Sequence, residues 1–508
     1  MGNLVTALGL LLGLASATIA QSPANPPTAD GRIEDLPLLP PEQPLPPELP
    51  LSTASLAARR VQFPRNETPE PTQAQASTAP AQPADAGVPG PGGPDKPRSA
   101  ETTPTVAEQV AAPQRPTVET NFLAKALGIQ DKPWRIYGWI ENSFTGNANG
   151  TPRDRSNFGV FPNDQANQWQ GNQLPYIIVE NPLELNDTIN LGFRVDFLFG
   201  NDWQFSQAFG LFNRDFVKNH LAGIDFPQFF GEIHLPIFTP YGFDIKGGRF
   251  YDPAGFEAVP AVKRPLLSTS YTFAYTPFTY AGAMTTLHVT PRLNVINGAV
   301  EGTDRIFDEK FHYSYLGGFN WTSSSERTTL YSYILCGPNQ LPTFPPLNSP
   351  FLPVGVQQSP PGLEGRDNPL YAHHPRTYFD VVATHNWTDK LTQAAELFFV
   401  VDPKVPFPDR TVKDTTWYGF TNWFLYTFDT AQKYTGVWRA EIFNDPQGAA
   451  TGVPGLYDEM TIGLIYKPKP WLWLRPEARY DWAPYSMPYS EGTRSSQFTL
   501  SFDIIVHF

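Results

Sequence analysis

The chain has one cysteine, Cys336, among 508 residues, so no intramolecular disulfide can brace it. Charge is scarce too. Asp, Glu, Lys and Arg together make up 17% of the residues, where an average soluble protein carries about 25%. No HExxH, GxSxG, CxxC or glycine-rich phosphate loop occurs, which removes the common signatures of zinc hydrolysis, serine-nucleophile chemistry, dithiol redox and nucleotide binding. A net charge of −13 provides no basic face for nucleic acid. Long apolar runs are also missing beyond Leu4–Ala20, so a bundle of membrane-spanning helices is excluded.

That single run is followed by small residues, as in a secretory signal peptide cleaved after Ala17 or Ala20. The MGxxxT pattern at Met1–Thr6 also fits a myristoylation site, but an export segment directly behind it favours the signal peptide, assigned to 1–20. Residues 21–118 then hold 22 of the 55 prolines. Proline removes backbone donors and fixes φ, so stretches such as Leu36–Pro50 form neither ladders nor helices. We read 21–118 as a disordered, proline- and alanine-rich periplasmic tether, with cell-wall contact as its expected role.

What the chain has in plenty is aromatic residues, 14% of the total, and alternation. In Ser495–Phe508, Phe498, Leu500, Phe502, Ile504, Val506 and Phe508 share one face of a strand. Gln497, Thr499, Ser501, Asp503 and His507 share the other, with Ile505 the exception. The segment is long enough to cross a bilayer as a tilted strand of about 9–11 residues. After a short helical pattern at Asn121–Gln130, similar segments recur at 135–145, 176–185, 190–200, 228–237, 242–250, 279–290, 292–302, 312–322, 326–337, 376–388, 390–402, 417–429, 434–445, 458–468, 471–483 and 495–508. Long and short connections alternate between them. Short periplasmic turns and long outer loops are what an even-stranded transmembrane barrel shows. The sequence thus predicts an all-β fold for 119–508: an antiparallel transmembrane β-barrel of about sixteen strands. Trp387, Trp417, Trp423, Trp438, Trp471, Trp473 and Trp482 all fall inside those strands, where an interfacial girdle would place them.

Charges within these strands have only one affordable direction. An Arg or Lys facing lipid at the midplane costs roughly 2–4 kcal/mol. Arg194 and Asp196 share a face, as do Arg439 and Glu441, and as do Arg475, Glu477, Arg479 and Asp481; Glu459 lies on the strand between the last two groups. These nine residues are expected to face the lumen, either lining a conducting path or pairing to hold the wall. A sixteen-stranded barrel is wide enough for an aqueous channel. His373–His374 falls in a long connection and reads as solvated. No cofactor is expected and no catalytic constellation stands out.

Two stretches carry a resemblance. IKGGRFYDPAGFEAVPA and SYTFAYTPFTYAGAMTT cover 245–261 and 270–286; WRAEIFNDPQGAATG and LYDEMTIGLIYKPKPWLWLRPEARYDWA cover 438–452 and 456–483. In these the chain resembles the β-barrel porin-2 family, the OmpL-like outer-membrane porins, from about Arg135 to Phe508. The resemblance implies location in the cell outer membrane, a porin and no catalytic residues. In general porins the loop after the fifth strand folds into the barrel. The corresponding connection, 251–278, carries Asp252 and Glu257, which are expected to face the arginines of the later strands across a constriction. The expected function is passive diffusion of small hydrophilic solutes or ions, with outer-membrane lipid as surroundings and a homotrimer as assembly. A sealed barrel serving as a structural or adhesive anchor, and a substrate-specific channel, are the alternatives.

Overall fold

The protein is described by a computed structural model. It describes residues 122–129, 132–153, 155–206, 208, 211, 222–307, 313–338, 375–406 and 411–508. The expected leader, the proline-rich stretch 21–118 and His373–His374 lie outside these residues. A short helix α1 (Phe122–Ala126) precedes the strands. In chain order these are β1 (Arg135–Asn147), β2 (Gln168–Asn181), β3 (Asn190–Gly200), β4 (Gly223–Asp225), β5 (Phe229–Leu235), β6 (Phe243–Tyr251), β7 (Thr279–Thr290), β8 (Leu293–Val300) and β9 (Ser314–Thr322). They continue as β10 (Thr328–Pro338), β11 (Pro375–Asn386), β12 (Leu391–Pro406), β13 (Val412–Thr427), β14 (Tyr434–Asp445), β15 (Gly455–Lys469), β16 (Leu472–Trp482) and β17 (Ser496–His507).

Each strand pairs antiparallel with its neighbours, and β1 pairs with both β2 and β17, so the sheet closes on itself. The three-residue β4 and the longer β5 both pair with β3, one beyond the other, and together they fill one place in a sixteen-strand ring. Closure removes every sheet edge, which a backbone in lipid requires. The seam is completed by a reciprocal pair of bonds between Gly138 and Phe508, N–H to O at 3.1 and 2.9 Å.

Burial is inverted relative to a soluble protein. Ile462 is 57% exposed and Leu500 55%, while Arg439, Arg479, Asp481 and Asp503 are fully buried. Strand β17 alternates as its sequence predicts, Phe498, Leu500 and Phe502 outward and Gln497, Thr499, Ser501 and Asp503 inward. Outward rings gather near the short turns, among them Trp321, Trp387, Tyr434 and Trp471, with Tyr434 stacked on Tyr466 at 4.7 Å. The girdle assignment needs correcting at three positions. Trp417, Trp423 and Trp473 are buried inside the barrel, because strand parity puts them on the opposite wall from Trp387 and Trp471.

Candidate functional site

The connection after β6, residues 252–278, does not stay outside. Nearly all of it is buried. It contains a 3-10 turn (Ala261–Lys263) and a helical turn α2 (Tyr271–Ala274), capped where Ser270 Oγ accepts from Phe273 N. Irregular backbone inside a membrane protein is tolerated only when its polar groups find partners within the protein or line a water-filled cavity. The wall strands supply those partners.

Arginines take the carbonyls. Arg475 Nη1 donates to Ala261 O at 2.8 Å and Arg264 O at 2.5 Å; Arg479 Nη1 donates to Thr269 O at 2.5 Å; Arg439 Nη1 donates to Ser268 O at 2.6 Å. Carboxylates take the amides. Glu441 accepts from Tyr271 N and Thr272 N, each at 2.5 Å, and Glu477 accepts from Leu267 N at 2.8 Å and Ser268 N at 3.1 Å. Farther along, Glu396 of β12 accepts from Phe256 N at 2.9 Å. Gln173 of β2 accepts from Ala261 N at 3.2 Å and donates to Val259 O at 2.6 Å. Charge-assisted bonds of this kind are about twice as strong as neutral ones.

The wall charges also pair among themselves. Arg439 bridges Glu459 at 2.9 Å and Glu257 of the segment at 2.7 Å. Arg479 forks onto Asp481 at 2.7 Å, and Arg475 onto Asp503 with Nε at 3.0 Å. Arg264, from the segment, reaches Glu141 of β1 at 3.0 Å and Asp202 at 3.4 Å. Burial works against the Arg264 charge, but the two carboxylates outweigh it and hold the guanidinium protonated. Apolar side chains fill the rest. Phe256 lies 4.6 Å from Trp423, and Tyr271 lies 5.3 Å from Tyr457.

The structure thus brings together Arg439, Glu441, Glu459, Arg475, Glu477, Arg479 and Asp481 on β14, β15 and β16. Arg194 and Asp196 form a separate site on β3: Arg194 Nε is 2.7 Å from Asp196, which also accepts from Tyr176 Oη at 2.6 Å and Gln228 at 3.1 Å. Glu257 touches Arg439 directly instead of facing it across open space. Asp252 does not join the arginines. Its carboxylate accepts from Ala254 N at 2.9 Å and from the Tyr280 hydroxyl, and burial pushes it up to about 7.

Sequence reasoning missed Glu141, Asp202, Arg264 and Asp503 as members of the network. Asp503 was detectable, since parity places it on the wet face of β17 beside Arg475. Elsewhere on the wall, the Glu232–Lys246 pair of β5 and β6, at 3.5 Å, keeps 14% and 13% of its side-chain surface exposed.

Among solved structures, the chain is similar to the outer membrane channel DcaP of Acinetobacter baumannii, with 9% identity, TM-score 0.47, and 74% of this chain and 97% of that one covered. OmpF of Salmonella typhi in complex with daunomycin gives 12% identity, TM-score 0.47, and 74% and 97% covered. OprB of Pseudomonas putida gives 12%, 0.46, and 76% and 96% covered. No curated protein matches the sequence. The family described as "Putative beta-barrel porin-2, OmpL-like" matches residues 133–508, the whole ring of strands with the inserted segment inside it. The chain belongs to this family, and is an outer-membrane β-barrel porin.

Proposed function

We propose that the protein is a passive diffusion channel whose narrowest passage is set by residues 252–278, mounted on the charged wall of β14, β15 and β16. It is read as a channel and not an enzyme. The observation that carries this reading is the bonding of the segment's main-chain groups by Arg439, Glu441, Arg475, Glu477 and Arg479, which fixes an irregular chain inside the barrel. In this reading the nine charged residues named from the sequence divide by role. Those of β14–β16 hold the segment, and Arg194 and Asp196 hold β3 to its neighbours. Solutes pass along the opposite arc, where Glu232 and Lys246 keep contact with water. Asp252, at the root of the segment, contributes a titratable charge to the same passage. Three copies assembled side by side are the proposed state in the membrane, and mass measurement of the detergent-extracted protein tests that.

The test of the channel is single-channel recording of the full chain in a planar bilayer. Discrete steps are expected, with larger conductance after deletion of residues 258–272. Neutralising one member of this partly buried pair, by Glu232→Gln or Lys246→Gln, is expected to shift reversal potentials in opposite directions. A folded barrel that passes no current with or without the deletion would overturn the proposal and favour the anchor.

A further inference from the structure

His234, Asp244 and His288 come from three adjacent strands, β5, β6 and β7, at the short-turn end of the barrel. That end is periplasmic in barrels of this class. Register explains the meeting: His234 lies opposite Asp244, Asp244 opposite Thr286, and His288 is two places farther along the same face. His234 Nδ1 is 2.6 Å from Asp244 Oδ1 and His288 Nε2 is 2.8 Å from Asp244 Oδ2. One ligand-capable atom from each of the three lies within 4.8 Å of the other two. The imidazoles are 1% and 3% exposed, and the carboxylate side chain keeps 15%, which gives an ion a way in from water.

The outer nitrogens are held as well. His234 Nε2 lies 3.0 Å from the carbonyl oxygen of Asn186, in the β2–β3 turn, and His288 Nδ1 lies 2.9 Å from Asn294 Oδ1. Both partners accept hydrogen bonds. With a proton on each outer nitrogen, the inner nitrogen of each ring turns a lone pair toward the Asp244 carboxylate. A metal ion seated between the two inner nitrogens and the carboxylate satisfies those lone pairs together. A ligating histidine whose other N–H is held by an oxygen is the arrangement that fixes tautomer and orientation in metal sites.

We propose that His234 Nδ1, His288 Nε2 and an oxygen of Asp244 bind one divalent transition-metal ion of the Zn2+ type. Two imidazoles and one carboxylate suit Zn2+, Ni2+ or Cu2+ better than Mg2+ or Ca2+, which prefer oxygen throughout. Three protein donors leave room for water or a solute group. A bound ion ties β5, β6 and β7 to the β2–β3 turn at the periplasmic mouth. The site is independent of the constriction and does not rest on the channel reading.

The test uses Co2+ as a coloured probe on the tag-free full chain, folded in detergent and carrying His373→Ala and His374→Ala to silence that pair. A visible absorption band that saturates at about one equivalent and is displaced by Zn2+ is expected. Asp244→Asn and His288→Gln should each weaken binding at least tenfold, and Asn294→Ala about 10- to 100-fold, the range for losing a partner behind a ligand. Binding should also weaken as pH falls, because protons compete for the inner nitrogens. Heat-modifiable gel mobility confirms that each variant is folded. Absence of a saturable band, or a band unchanged in folded Asp244→Asn and His288→Gln, would overturn the proposal and leave the three residues as a hydrogen-bonded strand clamp.

Discussion

Single residues inside this barrel are constrained by what their loss would strand. Arg439 neutralises both Glu257 and Glu459, all three without solvent contact. Removing one member of a buried ion pair costs about 3–5 kcal/mol, because the partner is left charged and dry. Arg439→Met should lower stability by that amount, read from urea unfolding followed by gel mobility, and an unchanged midpoint would show that these carboxylates are not held by Arg439. Asp252 makes a pH prediction. With burial pushing its carboxyl up to about 7, the folded state keeps a proton that the unfolded chain has already released. The contribution of Asp252 to stability should therefore be greatest below the usual carboxylate range, decline as pH rises toward 7, and level off above it. Ion selectivity should step near pH 7 as the charge appears. Asp252→Asn should flatten both profiles; a selectivity step that persists in this variant would assign it to another group, such as Asp304, whose carboxyl burial also raises.

At the scale of the strand, direction decides cost. Ile462 sits mid-strand in β15 and faces outward. Ile462→Arg should destabilise the folded barrel by about 2–4 kcal/mol, measured as the folded fraction in lipid vesicles against urea. Strands were legible where this two-sided pattern is strong: 190–200, 279–290 and 434–445 coincide with β3, β7 and β14. The pattern fails in Gln168–Pro175, where Gln170, Asn172 and Gln173 are buried but few apolar residues oppose them, so β2 begins eight residues before the expected 176. β4 is only three residues long and carries no period. Parity could also say that Arg475 and Glu477 point inward, but not what they meet there. Their partners are backbone atoms some two hundred positions away, at Ala261 and Leu267, and nothing in local spacing records that distance. Likewise no local spacing links His234 and His288; strand pairing alone sets both beside Asp244.

The whole molecule depends on one closure. Without β17, the edges of β1 and β16 would expose backbone groups to lipid, each at a cost of several kcal/mol. The full chain should migrate as a compact, heat-modifiable species in mild detergent gels, and removal of residues 496–508 should abolish the shift. A truncated chain that keeps the fast mobility would mean the barrel closes in another register.

Much of the grip on the inserted segment falls on its peptide groups, beside the side-chain ion pairs of Glu257 and Arg264. Arg475, Arg479, Glu441 and Glu477 hold carbonyls and amides of Ala261, Arg264, Thr269, Tyr271, Thr272, Leu267 and Ser268, atoms that every residue except proline supplies in full. Mounting and lining are therefore written in different letters. Substitutions on the side of the segment that meets the solute can alter what passes without loosening what holds it, and a new lining can be set in the same frame.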